Sequence, residues 1–267
     1  MTICMIFLIL FLLLLYCIAP RFRYRKHIRP FLQYDFAHRG YWDMNKNIPE
    51  NSLSAFRLAV TRGFGIELDL HLTKDGQIVV FHDDSLTRMC GVDVSIENTT
   101  YEELSLHTLT GTSEKIPLFS EVLSLVNGKV PLLIELKLPS TDTTLCSLVQ
   151  KNLQTYNGAY LIQSFNCLGL LWFRKHAPHT LRGQLSSNLT KTEPTIPFIA
   201  CFVVKYLLSN LITRPDFISY KLKDEQNIGL FLHKHLFHTP IAVWTLRTKE
   251  EIDYAKSKYS ITIFEKS

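Results

Sequence analysis

The sequence predicts an α/β fold in which helices pack around a parallel β-sheet. From residue 35 to residue 264, short apolar runs alternate with longer segments of helical periodicity, the pattern of repeated β-α units. Roughly 235 residues follow the first thirty, which is the usual size of a single (β/α)8 barrel. No internal repeat or low-complexity linker interrupts this stretch. We therefore expect one domain at residues 31–267, preceded by a separate segment at residues 1–30.

Short apolar runs are predicted as strands and the longer periodic segments as helices. The predicted strands are residues 35–38, 65–73, 77–81, 130–137, 159–164, 181–185, 217–220, 241–245 and 261–264. The predicted helices are residues 51–62, 118–126, 142–156, 167–176, 226–236 and 249–259. Residues 89–115 are polar and turn-rich, with one short helical stretch at 101–106.

The first predicted helix has clear end signals. Asn51 and Ser52 are both side chains that cap helix amino termini, and Gly63 is the usual residue at a carboxyl-terminal stop. Residues 196–212 are less clear, because they are apolar enough to be mistaken for a membrane span. Lys205 interrupts this run, so we interpret it as a lid or a buried helix of the barrel.

Residues 3–19 contain no charged side chain and almost no polar one. A helix of this length rises about 25 Å, near the short end of what spans a bilayer. No Lys or Arg precedes the run and no small-x-small cleavage site precedes Pro20, which argues against a removed signal peptide. Cys17 follows Tyr16, which is too large for the usual lipid-attachment motif. We therefore predict a retained single-pass transmembrane helix at residues 3–19.

A basic flank follows the apolar run. It contains Arg21, Arg23, Arg25, Lys26 and Arg29, and no acidic residue occurs in positions 1–30. The chain has 29 basic and 24 acidic residues, so the rest carries 24 of each and no net charge. This balance argues against nucleic-acid binding. Because basic residues tend to stay on the cytoplasmic side, we expect the barrel at the cytoplasmic face of the cell membrane. The flank either attracts anionic lipid or acts only as a topology signal.

The six cysteines favour a reducing compartment. They lie at positions 4, 17, 90, 146, 167 and 201, with no Cys-x-x-Cys pair and no spacing typical of a disulfide scaffold. Most of the four beyond the flank have apolar neighbours, as small core residues do.

The most informative stretch is residues 65–73, Gly-Ile-Glu-Leu-Asp-Leu-His-Leu-Thr. Alternate side chains of a strand share a face, so Glu67 and Asp69 project together, about 7 Å apart along the strand. Ile66 and Leu68 point the other way, into apolar packing. Two neighbouring carboxylates are unfavourable unless a cation or a shared proton relieves them, and a hard divalent cation is the simplest relief.

Five sequence blocks surround this strand in a fixed order. They are His38-Arg39-Gly40, Pro49-Glu50-Asn51-Ser52, Glu67-x-Asp69, Thr73-x-Asp75-Gly76 and Val80-Phe81-His82-Asp83. With these blocks the sequence strongly resembles the glycerophosphodiester phosphodiesterases, in a membrane-anchored bacterial-type form. The resemblance runs from about residue 34 to the carboxyl terminus. It implies a TIM (β/α)8 barrel in which residues 89–115 form a small insertion, preceded here by the predicted transmembrane helix.

The resemblance also implies a divalent-metal site formed by Glu67, Asp69 and Glu135. Three oxygen donors at the ends of neighbouring strands suit Mg²⁺ or Ca²⁺ and are poor for zinc. A single buried carboxylate is more often paired with Arg or Lys. We expect a metal instead because Arg39 and Lys137 are both assigned to the substrate.

Acid–base roles fall to His38 and His82 by the same resemblance, since imidazole titrates near neutral pH. A phosphodiester gains negative charge on its non-bridging oxygens as it is attacked. Arg39, with its planar fork, and Lys137, as a point charge, would neutralise that charge. The nucleophile is either water or the neighbouring glycerol hydroxyl, which gives a cyclic phosphate, and the sequence leaves both open.

Further candidates line the proposed pocket less directly. Glu50 resembles the family's Pro-Glu-Asn block and would brace the metal or phosphate site, or would simply favour the amino terminus of the helix that follows. Trp244, at the end of the seventh barrel strand, matches the family's Trp-Thr and would wall the substrate pocket. Tyr41 and Trp42 are candidates for the same role.

These observations predict a membrane-anchored, metal-dependent phosphodiesterase that hydrolyses glycerophosphodiesters to glycerol 3-phosphate and an alcohol. One alternative is a lysophospholipase D acting on membrane lysolipids, which suits the apolar residues 196–212. Another is a catalytically silent barrel that binds lipid head groups, against which the complete set of acid–base and metal residues counts. Where the family usually has a closing helix, residues 261–267 end the chain. The barrel is expected to close without that helix or with the flank covering the gap.

Overall fold

Nine strands form one sheet in the computed structural model, which describes residues 2–192 and 196–266. The strands are β1 (Asp35–Ala37), β2 (Gly65–Leu72), β3 (Ile78–Val80), β4 (Leu132–Leu136), β5 (Tyr160–Ser164), β6 (Arg182–Ser186), β7 (Phe217–Lys221), β8 (Ile241–Leu246) and β9 (Ile261–Phe264). Because β1 pairs in parallel with both β2 and β9, eight of these strands close into a parallel barrel. The predicted TIM barrel is confirmed. Ser267, the last residue of the predicted domain, lies outside the described residues.

Helices surround the barrel and connect its strands. In the described ranges they are α1 (Thr2–Ile18), α2 (Leu53–Arg62), α3 (Thr87–Cys90), α4 (Tyr101–Leu104), α5 (Phe119–Val126), α6 (Thr144–Leu153), α7 (Cys167–His176), α8 (Leu189–Thr192), α9 (Phe198–Lys205), α10 (Asn210–Thr213), α11 (Ile228–His235) and α12 (Lys249–Lys258). The six helices predicted around the barrel are all present as α2, α5, α6, α7, α11 and α12.

Strand β3 differs from the expectation of a wholly parallel sheet. It pairs antiparallel with β2, with Leu70 opposite Val80. Only five residues, among them Gly76 at a φ of 77°, join the two strands. So short a link makes a hairpin, whereas a parallel crossover needs a dozen or more residues. The strand therefore lies outside the barrel, where its Val79 packs with Phe81 and the insertion in a separate apolar cluster.

Strand β2 has the two faces that its sequence predicts. Ile66, Leu68 and Leu70 pack into the apolar layer between the sheet and the helices. Glu67 and Asp69 are equally buried but lie on the inner face of the barrel. The charged pair is therefore held inside the barrel by the burial of its apolar neighbours.

The interior of the barrel is apolar near the amino-terminal ends of the strands. This floor contains Phe36, Leu133, Leu161, Phe217, Ala242, Ile261 and Ile263. Ile28 and Phe31, from the segment that links α1 to β1, pack into the same cluster and close the floor from below. Gly183 is required here, because a Cβ at this position would lie 2.2 Å from the ring of Phe217.

Helix α1 differs from the expected membrane span. Across residues 2–192 and 196–266, no helix has the length and apolarity needed to cross a membrane, so the transmembrane helix predicted at residues 3–19 is not supported. The helix has 17 residues, and its last turn is hydrogen-bonded to the segment before β7 of the barrel. Ile18 is buried and its carbonyl accepts a hydrogen bond from Asn210 Nδ2 at 3.0 Å. The part of α1 that makes no contact with the barrel is therefore shorter than the apolar run at residues 3–19.

The apolar residues 196–212 form α9, a left-handed turn at Leu207 and the start of α10. Cys201 and Leu207 are buried, whereas Phe198 and Ile199 are 70% and 68% exposed. The segment is thus a helical connection between β6 and β7 with one exposed apolar face, intermediate between the predicted lid and the predicted buried helix.

The barrel closes directly through β9, without a helix after this strand in the residues up to 266. The flank does not cover the place of that helix, because Ile28 and Phe31 lie under the barrel floor. Phe264 instead packs against Phe64, with ring centroids 4.9 Å apart, so aromatic side chains cover this part of the wall.

Candidate active site

A cavity of about 290 Å³ opens at the carboxyl-terminal ends of the barrel strands, where TIM barrels carry their active sites. It is lined by seven of the predicted site residues: His38, Arg39, Glu67, His82, Glu135, Lys137 and Trp244. Asp69 lies beneath these residues, fully buried. The structure therefore brings together residues that are up to 206 positions apart in the sequence.

The turn after β1 places His38 and Arg39 at the cavity. His38 N donates to Phe264 O at 2.8 Å, which holds the histidine to the last strand of the barrel. Arg39 and Gly40 then both adopt positive φ angles, 57° and 82°. A Cβ on Gly40 would lie 2.9 Å from the Cβ of Ala55, so the turn requires glycine here. The His-Arg-Gly block therefore provides a glycine that the backbone of this turn requires, as well as two candidate functional side chains.

Three carboxylates meet inside the barrel. Glu67, Asp69 and Glu135 each offer an oxygen, and these oxygens all lie within 4.8 Å of one another. The strand register explains this, since Asp69 is directly opposite Glu135. Burial, together with the charges of Asp69 and Glu135, raises the pKa of Glu67 well above its usual range. Burial also raises the pKa of Glu135.

Arg39 and Lys137 do not stand apart from the carboxylates, as the sequence analysis assumed. Lys137 Nζ lies 3.0 Å from Asp69 Oδ1 and 2.6 Å from Glu135 Oε1. Arg39 Nε lies 3.6 Å from Asp69 Oδ2. Burial disfavours the charge on Asp69, but the cations around it, Lys137 above all, hold the pKa of this carboxyl well below its usual range. The assumption was wrong because Arg39 follows β1 and Lys137 follows β4, the two strands on either side of the β2 strand that carries Asp69.

The residues of this cluster fit a hard divalent cation. The three carboxylates are the ligand type that Mg²⁺ and Ca²⁺ prefer. Two buried amide oxygens, Oδ1 of Asn51 and Oε1 of Gln163, have no hydrogen-bond partner in the described part of the chain. Their amide nitrogens both donate to this cluster, Asn51 to Asp69 at 2.9 Å and Gln163 to Glu67 at 3.4 Å. A group of oxygen acceptors that exceeds the available donors is the arrangement a cation would satisfy.

His38 is held by a carboxylate that the sequence analysis did not single out. Its Nδ1 lies 2.8 Å from Glu265 Oε1, and Arg247 Nε donates to the other oxygen of Glu265 at 2.7 Å. Burial disfavours the charge on Glu265, but the hydrogen bonds from His38 and Arg247 and the charge of Arg247 outweigh it and lower the pKa of Glu265 to about 2. Burial lowers the pKa of His38, although Glu265 opposes this effect. The imidazole is therefore neutral at pH 7, with Nδ1–H directed at an ionised carboxylate.

His82 has an equivalent partner. Its Nδ1 lies 2.6 Å from Asp83 Oδ1, and Arg88 Nε donates to Asp83 Oδ2 at 2.6 Å. Glu50 completes this chain, since its Oε1 accepts from Arg88 at 2.6 Å and from Arg39 at 2.8 Å. Glu50 thus connects the arginine of the first loop to the partner of the second histidine, and it lies outside the carboxylate cluster.

The loop before α2 gives different roles to Asn51 and Ser52, which the sequence left as alternative caps of this helix. Ser52 caps α2, with its Oγ accepting from Ala55 N at 3.1 Å. Asn51 has a φ of 53° and instead donates its side-chain amide to Asp69. Asn51 is therefore a residue of the site, and Ser52 alone is the cap.

Of the three aromatic candidates for the pocket wall, one lines the cavity and two do not. Trp244 lines the cavity and meets Phe165 edge-to-face, with ring centroids 5.9 Å apart. Tyr41 stacks on Phe64 at 5.3 Å instead, and neither Tyr41 nor Trp42 lines the cavity.

Several lining residues were missed by sequence reasoning. They are Gln163, Phe165, Leu185, Lys221, Lys223, Thr245, Arg247 and Ile263, with Glu265 behind His38. Most follow or end a barrel strand, so a search restricted to strand ends would have found them. Their residue types alone carry no such signal, because single Lys, Gln and Phe residues are common at many positions.

The comparison with known families agrees with this geometry. The model of the glycerophosphoryl diester phosphodiesterase family matches residues 38–259, which is most of the chain. The chain belongs to this family. The match begins at His38, in the His-Arg-Gly turn, and the strands that carry the three carboxylates lie within it.

Curated relatives in the family differ in what they are named for. A glycerophosphodiester phosphodiesterase of Bacillus altitudinis is 35% identical over 157 residues, which cover 54% of this chain and 62% of that protein. A lysophospholipase D of Rattus norvegicus is 33% identical over 164 residues, covering 57% of this chain and 49% of that protein. The chain thus spans less than two thirds of the length of these relatives.

Solved structures share the fold over nearly the whole chain. A phosphodiesterase of Oleispira antarctica, solved in complex with the product sn-glycerol-3-phosphate, has a TM-score of 0.72 at 21% identity, covering 88% of this chain and 94% of that one. A glycerophosphodiester phosphodiesterase of Thermotoga maritima has a TM-score of 0.64 at 27% identity, covering 86% and 94%. These likenesses agree with the TIM barrel found here.

Proposed function

We propose that the protein hydrolyses glycerophosphodiesters to glycerol 3-phosphate and an alcohol, with His38 and His82 as its acid–base pair. The observation that carries this proposal is the pairing of each histidine with its own carboxylate at one cavity, 2.8 Å from Glu265 and 2.6 Å from Asp83. Barrels that only bind a ligand have no need of two oriented imidazoles. The product named in the Oleispira antarctica complex agrees with this activity.

The two histidines divide the proton transfers. Because Glu265 is ionised and accepts from Nδ1 of His38, Nε2 of His38 is left to take a proton from the nucleophile. His82, whose Nδ1 is bound by Asp83, gives a proton to the leaving alcohol oxygen. With water as the nucleophile, His38 then releases its proton to solvent and His82 takes one up. With the glycerol hydroxyl as the nucleophile, water opens the cyclic phosphate and the two proton transfers run in reverse. Either route consumes one water.

Charge on the phosphate is balanced by the cations of the cavity. Arg39 presents a planar guanidinium that Glu50 holds in place, and Lys137 supplies a compact ammonium. Glu67, Asp69 and Glu135 would hold one Mg²⁺ or Ca²⁺, whose chemistry when bound is to withdraw negative charge from the phosphoryl oxygens. Trp244 and Phe165 form the apolar wall against which the glycerol or alcohol packs.

The lysophospholipase D activity of the rat relative is a second candidate. The chemistry would be the same, and the cavity mouth distinguishes the two. Lys221, Lys223 and Arg247 line the cavity, and its opening lies at the opposite end of the barrel from the segment that follows α1. This polar mouth, away from α1, favours a soluble glycerophosphodiester over a lysolipid.

We also propose that α1 attaches the protein to a membrane surface on the cytoplasmic side. Apolar side chains from Met5 to Leu14 are exposed, and the basic flank follows directly. Exposed apolar surface next to basic residues favours an anionic leaflet. Separation of lysed cells into membrane and soluble fractions and protease treatment of intact cells test this proposal, and recovery of the chain in the soluble fraction would refute it.

The activity is tested with the full chain in detergent. Release of glycerol 3-phosphate is measured from glycerophosphoglycerol, glycerophosphocholine and lysophosphatidylcholine, with Mg²⁺, with Ca²⁺ and with chelator. His38→Ala and His82→Ala should each lower kcat by about 10²–10⁴-fold. His235→Ala is the matched control, because His235 is exposed on α11.

The outcomes separate the candidates. Turnover that depends on both histidines and is lost with chelator supports the proposal, and the preferred substrate chooses between the two activities. A cyclic phosphate seen by ³¹P NMR identifies the glycerol hydroxyl as nucleophile, whereas ¹⁸O from water in the first product identifies direct hydrolysis. A folded, metal-loaded protein that turns over none of the substrates would indicate a head-group-binding barrel.

A further inference from the structure

A second, strongly basic pocket lies at the other end of the barrel. It has a volume of about 370 Å³ and is lined by Arg21, Arg23, Arg174, Arg182 and Arg214, together with Tyr24 and Pro178. Its residues come from the flank, from α7, from the start of β6 and from the turn before β7. These residues precede their strands or, as Arg182 does, begin one, so the pocket lies at the amino-terminal ends of the strands, remote from the proposed active site.

The charges in this pocket are poorly balanced. Asp216 is the one carboxylate that the described residues bring to it, and Arg21 binds both of its oxygens, at 2.7 and 2.5 Å. Arg23 has no hydrogen-bond partner for its side chain among the described residues, and its guanidinium lies 5.7 Å from the Tyr24 ring. Five guanidinium groups against one carboxylate leave an excess positive charge, which is unfavourable without an anion.

Most of the arginines are held in place by backbone oxygens. Arg174 Nη1 donates to Ile212 O at 2.8 Å, and Arg182 Nε donates to Thr213 O at 2.8 Å. Arg214 Nη1 donates to Tyr16 O at 2.6 Å and to Ala19 O at 3.1 Å. Neutral carbonyls orient these side chains without cancelling their charge, so the site is preorganised.

Arg182 supplies the sharpest sign of an unmet partner. The residue is 1% exposed, and its Nη1 is a buried donor without a hydrogen bond to any of residues 2–192 and 196–266. Burial and the nearby charges of Arg21 and Arg174 lower the pKa of Arg182 to about 10. A buried guanidinium donor left unsatisfied costs free energy that an anion in the pocket would recover.

We propose that this pocket binds a phosphate group, either of a soluble phosphate compound or of an anionic phospholipid. Several guanidinium groups around one cavity suit a tetrahedral phosphate, because each guanidinium can donate two parallel hydrogen bonds to phosphate oxygens. The contacts of Arg214 with the last turn of α1 place the site at the base of the exposed apolar helix. A lipid whose acyl chains lie along α1 would therefore present its head group to the arginines, and this is the expected source.

The test uses the full chain and two probes. Binding of inorganic phosphate is measured by titration calorimetry, and binding to vesicles of phosphatidylcholine alone or mixed with phosphatidylglycerol is measured by flotation. Arg23→Gln with Arg174→Gln removes two cations of the pocket. Arg29→Gln with Lys175→Gln is the matched control, since it removes two cations from the same flank and the same helix that do not line the pocket.

The double variant Arg23→Gln with Arg174→Gln should bind phosphate at this site at least about tenfold more weakly than the control. Hydrolysis of glycerophosphoglycerol should be equal in the two proteins, because neither substitution reaches the active site. Arg23→Gln alone is the second variant, because its exposed side chain makes no hydrogen bond within the described residues and its loss leaves the fold intact. Its expected loss is smaller but in the same direction.

The two possible sources of the phosphate group, an anionic phospholipid and a soluble phosphate compound, give different results. If flotation with phosphatidylglycerol falls together with phosphate binding, the ligand is a lipid head group. If phosphate binding falls and flotation matches the control, the ligand is a soluble phosphate compound. If the pocket variants match the control in both measurements, the proposal is overturned, whatever the result of the hydrolysis assay.

Discussion

Glu265 Oε1 lies 2.8 Å from His38 Nδ1, which joins the residue after the last barrel strand to the residue after the first. The contact exists only when β9 pairs with β1 and closes the barrel. A proposed catalytic group is therefore oriented by closure of the fold itself.

Glu265→Gln should lower kcat by about tenfold, because the amide can keep a hydrogen bond but cannot stabilise the imidazolium that forms during turnover. Glu265 opposes the depression of the His38 pKa by burial, so its loss should lower that pKa further. The acid limb of kcat/KM against pH should then move to lower pH. The control is Glu251→Gln, which removes a neighbouring carboxylate bound to Arg247 N. An unchanged acid limb would show that Glu265 does not act on His38.

Glu67→Gln should stabilise the metal-free protein. The substitution removes one of three buried acids, and burial together with the charges of Asp69 and Glu135 raises the pKa of Glu67. A gain of about 1 kcal/mol corresponds to a rise in Tm of about 2–4 °C for a domain of this size. The same variant should lose the stabilisation that Mg²⁺ or Ca²⁺ gives the parent protein. Thermal unfolding with and without metal measures both effects.

Glu97→Gln provides the comparison for this prediction, since Glu97 is exposed in the insertion. It should leave both the Tm and the response to metal unchanged. Equal metal stabilisation of the parent and of Glu67→Gln would contradict the assignment of Glu67 to the metal.

Glu50→Gln should raise KM about fivefold with a smaller effect on kcat, as expected for the loss of about 1 kcal/mol of substrate binding. Glu50 orients Arg39 and Arg88 and does not join the carboxylate cluster. Steady-state kinetics with glycerophosphoglycerol measures the split. A fall in kcat as large as that of His38→Ala, at unchanged KM, would instead place Glu50 at the reacting atoms.

Gly183→Ala should lower the free energy of unfolding by about 1–3 kcal/mol, the usual cost of overpacking a core. The added Cβ would lie 2.2 Å from the ring of Phe217 in the barrel floor. Phe217→Leu in the same protein should recover part of the loss, because the smaller side chain makes room. Urea unfolding of the single and double variants tests the pair, and additive losses would argue against a direct clash.

Much of the barrel could be predicted because its signals are local. The alternation in residues 65–73 predicted which side chains of β2 face inward, and Gly63 predicted the end of α2. The antiparallel direction of β3 was not predicted, because a run of three apolar residues carries no information about its partner. Its direction follows from the short turn at Gly76.

The candidate site was predictable only in part, because some of its residues lie outside the recognisable sequence blocks. His38, Glu67 and His82 stand in blocks with a recognisable order, whereas Glu265 stands alone near the end of the chain. Its partner is 227 positions away and is found only when the barrel closes. Lys137 shows the converse case, since its strand position was predicted but its contacts with Asp69 and Glu135 were not.

The packing of Ile28 and Phe31 beneath the barrel has a practical consequence for shortened forms of the protein. Any form that begins after Phe31 would leave Phe36, Phe217 and Ile261 open to water at the floor. Such a form would expose an apolar surface that promotes aggregation. Expression boundaries should therefore lie before Arg21, so that the segment from the flank to β1 stays attached to the strands it covers.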